Sequence, residues 1–190
     1  MLRIMEKQVK IRDLKIDYTV DYRHIKYPRL EFKTGRLLLV LPKNYKKEKR
    51  LIEKHKKWIY KKKSLIEFAR KKAKEKIIDP KSNTELKNLI QSSIDKFAKE
   101  YQAYPNQVFF RKMKSKWASC SPKNNLTFNI LIKYLPKSLI KYVVFHEIAH
   151  LVERNHSERF WNIVSQKFKN FREKEKDLMI YWFLLQNIAK

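Results

Sequence analysis

Tyr142-Val143-Val144-Phe145-His146-Glu147-Ile148-Ala149-His150-Leu151-Val152-Glu153-Arg154-Asn155-His156 is the stretch on which the fold and the chemistry of this chain turn. Its apolar residues lie almost all round a helical wheel, which predicts a buried helix. Residues four apart share one helical face, so His146 and His150 can hold a single metal ion. Glu147 is rotated by about 100° from His146. It cannot easily be a ligand on that line, but it can reach a water beside the metal, the general-base position of zinc-dependent hydrolases. Chance alone produces His-Glu-x-x-His roughly once in a hundred chains of this composition, so the context must decide.

Six positions on, His156 offers a third nitrogen. A catalytic zinc takes three protein ligands and keeps one position open, which His146, His150 and His156 satisfy. A buried imidazole in an apolar helix is more often a core residue with a backbone hydrogen bond, but three at this spacing beside a glutamate are not explained that way. The spacing equals that of H-E-x-x-H-x-x-G-x-x-H. Glu153 replaces the glycine, however, and no Met-turn is evident, so Asn155 is expected to turn the chain through the left-handed region. The alternative third ligand is a downstream carboxylate, Glu173 or Glu175, although both stand in a charged run that reads as a solvated face. His24 lies in a polar turn and His55 on a basic helix, and Cys120 reads as a small buried hydrophobe.

Working outward, the C-terminal part is helical in three segments, Lys137 to Glu153, Ser157 to Phe168 and Arg172 to Ala189. Val108 to Arg111 and Leu126 to Leu131 read as strands around the polar stretch Lys112 to Asn125. The stripe Leu86, Leu89, Ile90, Ile94, Phe97, Ala98 and Tyr101 marks another helix, capped by Asn83 or Thr84 and ended by Pro105. Asp79-Pro80-Lys81-Ser82 separates it from a basic helix whose stripe runs from Leu51 through Ile59 to Ala73. Before that come strands: strict alternation from Leu14 to Tyr22, then Leu30 to Phe32 and Leu37 to Leu41 around Gly35, the only glycine. A small antiparallel sheet is the natural expectation. The fold class is therefore α+β, with an N-terminal β region and basic helical connector over residues 1–80 and a zincin-like domain with a short sheet and active-site helix over 81–190.

The 190 residues carry 46 Lys and Arg against 19 Asp and Glu, a formal charge of +27, with 43% hydrophobic residues. That is enough apolar material for a core, which speaks against intrinsic disorder. No apolar run approaches the ~20 residues of a membrane span, and Arg3, Glu6, Lys7 and Lys10 interrupt any signal-like start. With one cysteine no internal disulfide is available, and a cytoplasmic setting is expected. Fifteen basic residues lie between Lys46 and Lys76. They speak for solubility or for a nucleic acid or other polyanion as partner, a solvated lysine face being the plainer reading without a recognition motif.

The residues from His146 to Trp161, His-Glu-Ile-Ala-His-Leu-Val-Glu-Arg-Asn-His-Ser-Glu-Arg-Phe-Trp, resemble the signature of the YgjP-like metallopeptidase family. So does Trp117-Ala118-Ser119-Cys120, with alanine at position 118 where the family usually has glycine, followed by the Leu126 to Asn129 strand. Pro42 and Lys56-Lys57-Trp58-Ile59 agree as well. The resemblance implies a zinc (Zn2+) fold related to SprT-like and other zincin proteases, with His146, His150 and His156 as ligands and Glu147 as base. The expected activity is peptide hydrolysis on a peptide or protein substrate. Two alternatives stand beside it: a metal-dependent nucleoside-triphosphate pyrophosphatase, since some family members are described so, and a nucleic-acid-associated protein. No phosphate loop of the G-x-x-x-x-G-K-[ST] kind is present. A strand beside the metal helix, for which Leu126 to Leu131 is the candidate, is expected to hold an extended substrate.

Overall fold

A computed structural model describes residues 7–33, 35–76, 78 and 80–188. Thr34 and Asp79, expected at turns, and Arg3, Glu6 and Ala189 lie outside the described residues. The chain is α+β and forms two compact units, Met1–Lys71 and Lys72–Lys190. No helix among the described residues is long and apolar enough to cross a membrane.

The first unit holds strands β1 (Lys7–Ile11), β2 (Leu14–Arg23), β3 (Arg29–Lys33) and β4 (Arg36–Pro42), and most of helix α1 (Glu48–Ala73). The sheet order is β1-β2-β4-β3. It is mixed rather than antiparallel: β2 and β4 run parallel, Tyr18 facing Leu37 and Tyr22 facing Leu41. Burial explains the arrangement. Leu37, Leu39, Val40 and Leu41 are all fully buried, which only an interior strand permits. Charged Arg29-Leu30-Glu31-Phe32-Lys33 takes the edge, and the β3–β4 hairpin folds β4 back between β3 and β2. Gly35 makes that turn at φ +83, and a Cβ there would sit 2.5 Å from the Arg70 guanidinium. Ile11, Ile16, Leu39, Leu51, Ile52 and Ile59 form the core. Glu48 fastens the start of α1 to the sheet, accepting from Lys7 Nζ at 2.9 Å and from Tyr18 Oη at 2.6 Å.

In the second unit α2 (Asn83–Tyr101) is capped one residue before the expected Asn83. Ser82 is the cap, because Ser82-x-x-Glu85 closes a reciprocal box: each side chain takes the other's backbone N–H at 3.1 Å. Gln102, left-handed at φ 50, ends the helix ahead of Pro105. Strands β5 (Val108–Arg111), β6 (Ala118–Cys120) and β7 (Leu126–Asn129) make a sheet of order β5-β7-β6. A 3-10 turn (Ile130–Tyr134) then leads to α3 (Lys137–Val152), α4 (Glu158–Lys167) and α5 (Phe171–Ile188). As the all-round apolar pattern predicts, α3 is the central helix: Ile140, Tyr142, Val144, Phe145 and Ile148 have no exposed surface. Each such side chain contributes about 1.5–3 kcal/mol on leaving water, so α3 is a rigid base for the two histidines it carries.

Candidate metal centre

Three histidines from two elements converge. His146 and His150 stand one turn apart on α3, and His156 comes from the linker to α4; their ligand nitrogens lie within 4.8 Å of one another. His146 Nε2 is 3.0 Å from His156 Nε2. His150 donates from Nδ1 to the Glu153 carbonyl at 3.1 Å, which leaves its Nε2 lone pair for the shared point. Phe160 supports all three rings, stacking on His150 at 4.5 Å between centroids.

The chain reverses after α3 without the left-handed residue expected at Asn155, which is not among the described residues of positive φ. Glu153 leaves the helix in extended conformation (φ −134, ψ 110), and its carboxylate takes the Asn155 N–H at 3.3 Å. A side-chain acceptor does what a left-handed turn would have done. Arg154 locks the reversal to the 121–124 turn, donating to the Ser121 carbonyl at 2.8 Å, to Cys120 Sγ at 3.4 Å and to Asn124 Oδ1.

Glu147 points elsewhere on α3. It is nearly fully buried, at 6% exposure, beneath β6, whose Cys120 N–H donates to its carboxylate. Burial pushes the Glu147 carboxyl up to about 8, against the pull of the Lys116 ammonium and the Cys120 N–H. Burial also drives His146 down to about 3, with His150 and His156 adding to the effect, and lowers His150. Neutral imidazoles are the form that binds metal, so the donor set fits a divalent ion of zinc type.

Of the two carboxylates that could replace His156 as third ligand, Glu175 is at the site and outside the histidine cluster. It accepts from Tyr142 Oη at 2.6 Å and stands 3.8 Å from His146 Nδ1. The charged run around it hides this, because the first turns of α5 are charged on every side and no apolar stripe marks the face that meets the site. Tyr142, Lys116, Cys120 and Arg154 also line the cavity of about 400 Å³ over the histidines. None of them stands out in the sequence. Cys120, expected as a small buried hydrophobe, is half-buried at the cavity instead; strand β6 is only three residues long and lies within a polar loop, so no pattern places it there. Asn129 builds that loop: fully buried, it donates to the carbonyls of Met113 and Lys116 at 2.9 and 2.8 Å. His24 and His55 join no such cluster among the described residues. The strand at the cavity is β6; β7 lies between β5 and β6 with both edges paired, so the Leu126 to Leu131 segment cannot receive a substrate strand.

These shifts have a consequence for the metal-free protein. Glu147, raised above its unfolded 4.5, adds stability that is present below pH 4.5 and lost as pH rises through about 8. His146, depressed from 6.5, adds stability that is present above pH 6.5 and lost as pH falls through about 3. The two oppose each other below 6.5, and only the Glu147 effect remains above it. Metal-free protein should lose about 2 kcal/mol between pH 6.5 and 8. Urea unfolding at the two pH values checks this, and Glu147→Gln should remove most of the decline.

A family model of the YgjP-like metallopeptidase domain matches residues 69–181. Among solved structures the chain is similar to the crystal structure of the metallopeptidase zymogen of Pyrococcus abyssi abylysin, at 27% identity and a TM-score of 0.42 over 53% of this chain and 95% of that one. No curated protein matches the chain.

Proposed function

We propose, because the chain belongs to the YgjP-like metallopeptidase family, that it is a zinc-dependent peptidase with His146, His150 and His156 as ligands and Glu147 as general base. The observation that supports this reading is the convergence of three imidazole nitrogens within 4.8 Å, beside a buried carboxyl that is not one of them. An ion held by three neutral imidazoles supplies Lewis-acid polarisation of a carbonyl and acidifies the water it binds.

The protein's own groups supply the rest. Glu147 accepts a proton from the attacking water as the oxygen bonds to the scissile carbonyl carbon. It returns that proton to the amine nitrogen as the C–N bond breaks. With a carboxyl held near 8 in the metal-free site, a cation beside it draws the value down toward neutrality, where a group can both take and give a proton. Glu175 and Tyr142 hold the His146 side of the cavity. Edge strand β6 offers backbone groups along which an extended peptide can lie.

The test is cleavage of a permanently unfolded protein and of quenched peptides by the zinc-loaded and the chelated protein, with a nucleoside-triphosphate panel alongside. Peptide cleavage that requires the metal is expected. Pyrophosphate release without any peptide cleavage would move the substrate to nucleotides, and failure to bind zinc at all would end the proposal.

A further inference from the structure

The charge of the first unit has a shape that composition does not show. Arg50, Lys54, Lys57 and Lys61 recur on α1 at intervals of four, three and four, so they form one line along the helix. That line faces away from the core, which takes Leu51, Ile52 and Ile59 from the opposite side. All four side chains are exposed. Some other cations of α1 are matched within the helix, Lys56 with Glu53 and Lys63 with Glu67 at 2.6 Å, while Lys49, Lys62 and Lys71 lie off the line. The four of the stripe have no ion-pair or hydrogen-bond partner among the described residues. They span about 16 Å of helix axis.

Two partly exposed rings accompany the line. Trp58, 39% exposed, borders it beside Lys54 and Lys61, with its ring 5.7 Å from that of Phe32 on β3; Phe68, 48% exposed, continues it two turns beyond Lys61. Large apolar rings are normally withdrawn from a face this polar. A row of cations with one partly exposed ring at its side and another at its end suits a phosphate backbone whose bases are free to stack. A membrane surface suits them less, because binding there needs an apolar face free to enter the lipid, and that face of α1 is occupied by the sheet.

We propose that the Arg50, Lys54, Lys57 and Lys61 stripe of α1, with Trp58 and Phe68, is a binding surface for single-stranded nucleic acid. It carries substrate-independent affinity and stands whether or not the centre in the second unit cleaves peptides. Four phosphate contacts to a single strand predict that log K falls with log salt at a slope of about −3.

The experiment is fluorescence anisotropy of labelled 20-nucleotide oligothymidylate and oligouridylate with the full chain across a salt series. The quadruple variant with Arg50, Lys54, Lys57 and Lys61 changed to Gln should flatten the slope to near zero. A control with the exposed Lys87, Lys99, Lys123 and Lys169 changed to Gln lowers the net charge equally and should keep both slope and affinity. Trp58→Ala should weaken binding roughly ten-fold at unchanged slope, with circular dichroism confirming that the fold is kept. Equal losses in the stripe variant and the control would overturn the proposal, since charge without a site would then explain the binding. Absence of oligonucleotide binding, or binding to phosphatidylserine vesicles in its place, would overturn it too.

Discussion

Glu147→Gln is expected to leave one metal ion bound per chain while lowering kcat for peptide cleavage by roughly 10²- to 10⁴-fold, the usual share of a general base. The change keeps the size and shape of a side chain that is 6% exposed in a packed helix, so it opens no cavity. It removes the ability to hold a proton. It also leaves the three imidazoles alone, since Glu147 is outside the ligand cluster. The Cys120 N–H, which donates to the carboxylate, can still donate to the amide oxygen. Metal content by elemental analysis and a progress curve on a quenched peptide decide the matter. Activity within ten-fold of wild type at full metal content would remove Glu147 from its role, whereas loss of metal would show that the residue also shapes the ligand set.

How much of this centre is legible in the sequence depends on how locally each part is determined. His146, Glu147 and His150 share one helix, so spacing alone places them, and the all-round apolar pattern of α3 announces its burial. The reversal to His156 is legible as a need for a turn but not as its means, because a Glu153 side chain closing on the Asn155 N–H is one of several chemistries that could serve. Lys116, Cys120 and Glu175 arrive from segments that meet α3 only in three dimensions. Their signals are faint for physical reasons: β6 is too short for an alternation pattern, and α5 opens in a run of charges that describes its solvated face.

The same logic separates the two sheets. In the first unit each strand shows in its alternation or apolar run, yet direction does not, since periodicity is identical for parallel and antiparallel neighbours. What settles it is the continuous apolar run Leu37-Leu38-Leu39-Val40-Leu41, which marks an interior strand and obliges the chain to insert β4 beside β2. Interior strands read as unbroken apolar runs, whereas the alternation of β2 marks only a half-buried strand and is silent on the direction of its neighbour.

Removal of one ligand should separate metal binding from folding, and His156 is the residue to change. It is exposed and lies outside the helices, whereas His146 sits against Phe160 and Tyr142 on the buried helix. His156→Ala is therefore expected to leave the metal-free protein within about 0.5 kcal/mol of wild type, as exposed substitutions do. In the wild type, zinc at a thousand times its dissociation constant should add about 4 kcal/mol, a rise of about 10 °C or more in the melting temperature of a unit this size. In His156→Ala most of that rise should vanish, because two imidazoles on one helix hold zinc far more weakly than three. Calorimetric scans of both proteins, chelated and zinc-loaded, give the four melting temperatures needed. An undiminished zinc increment in the variant would exclude His156 from the ligand set and turn attention to Glu175, the carboxylate 3.8 Å from His146 Nδ1. A collapse of the metal-free variant would instead make His156 a structural residue, which its exposure argues against.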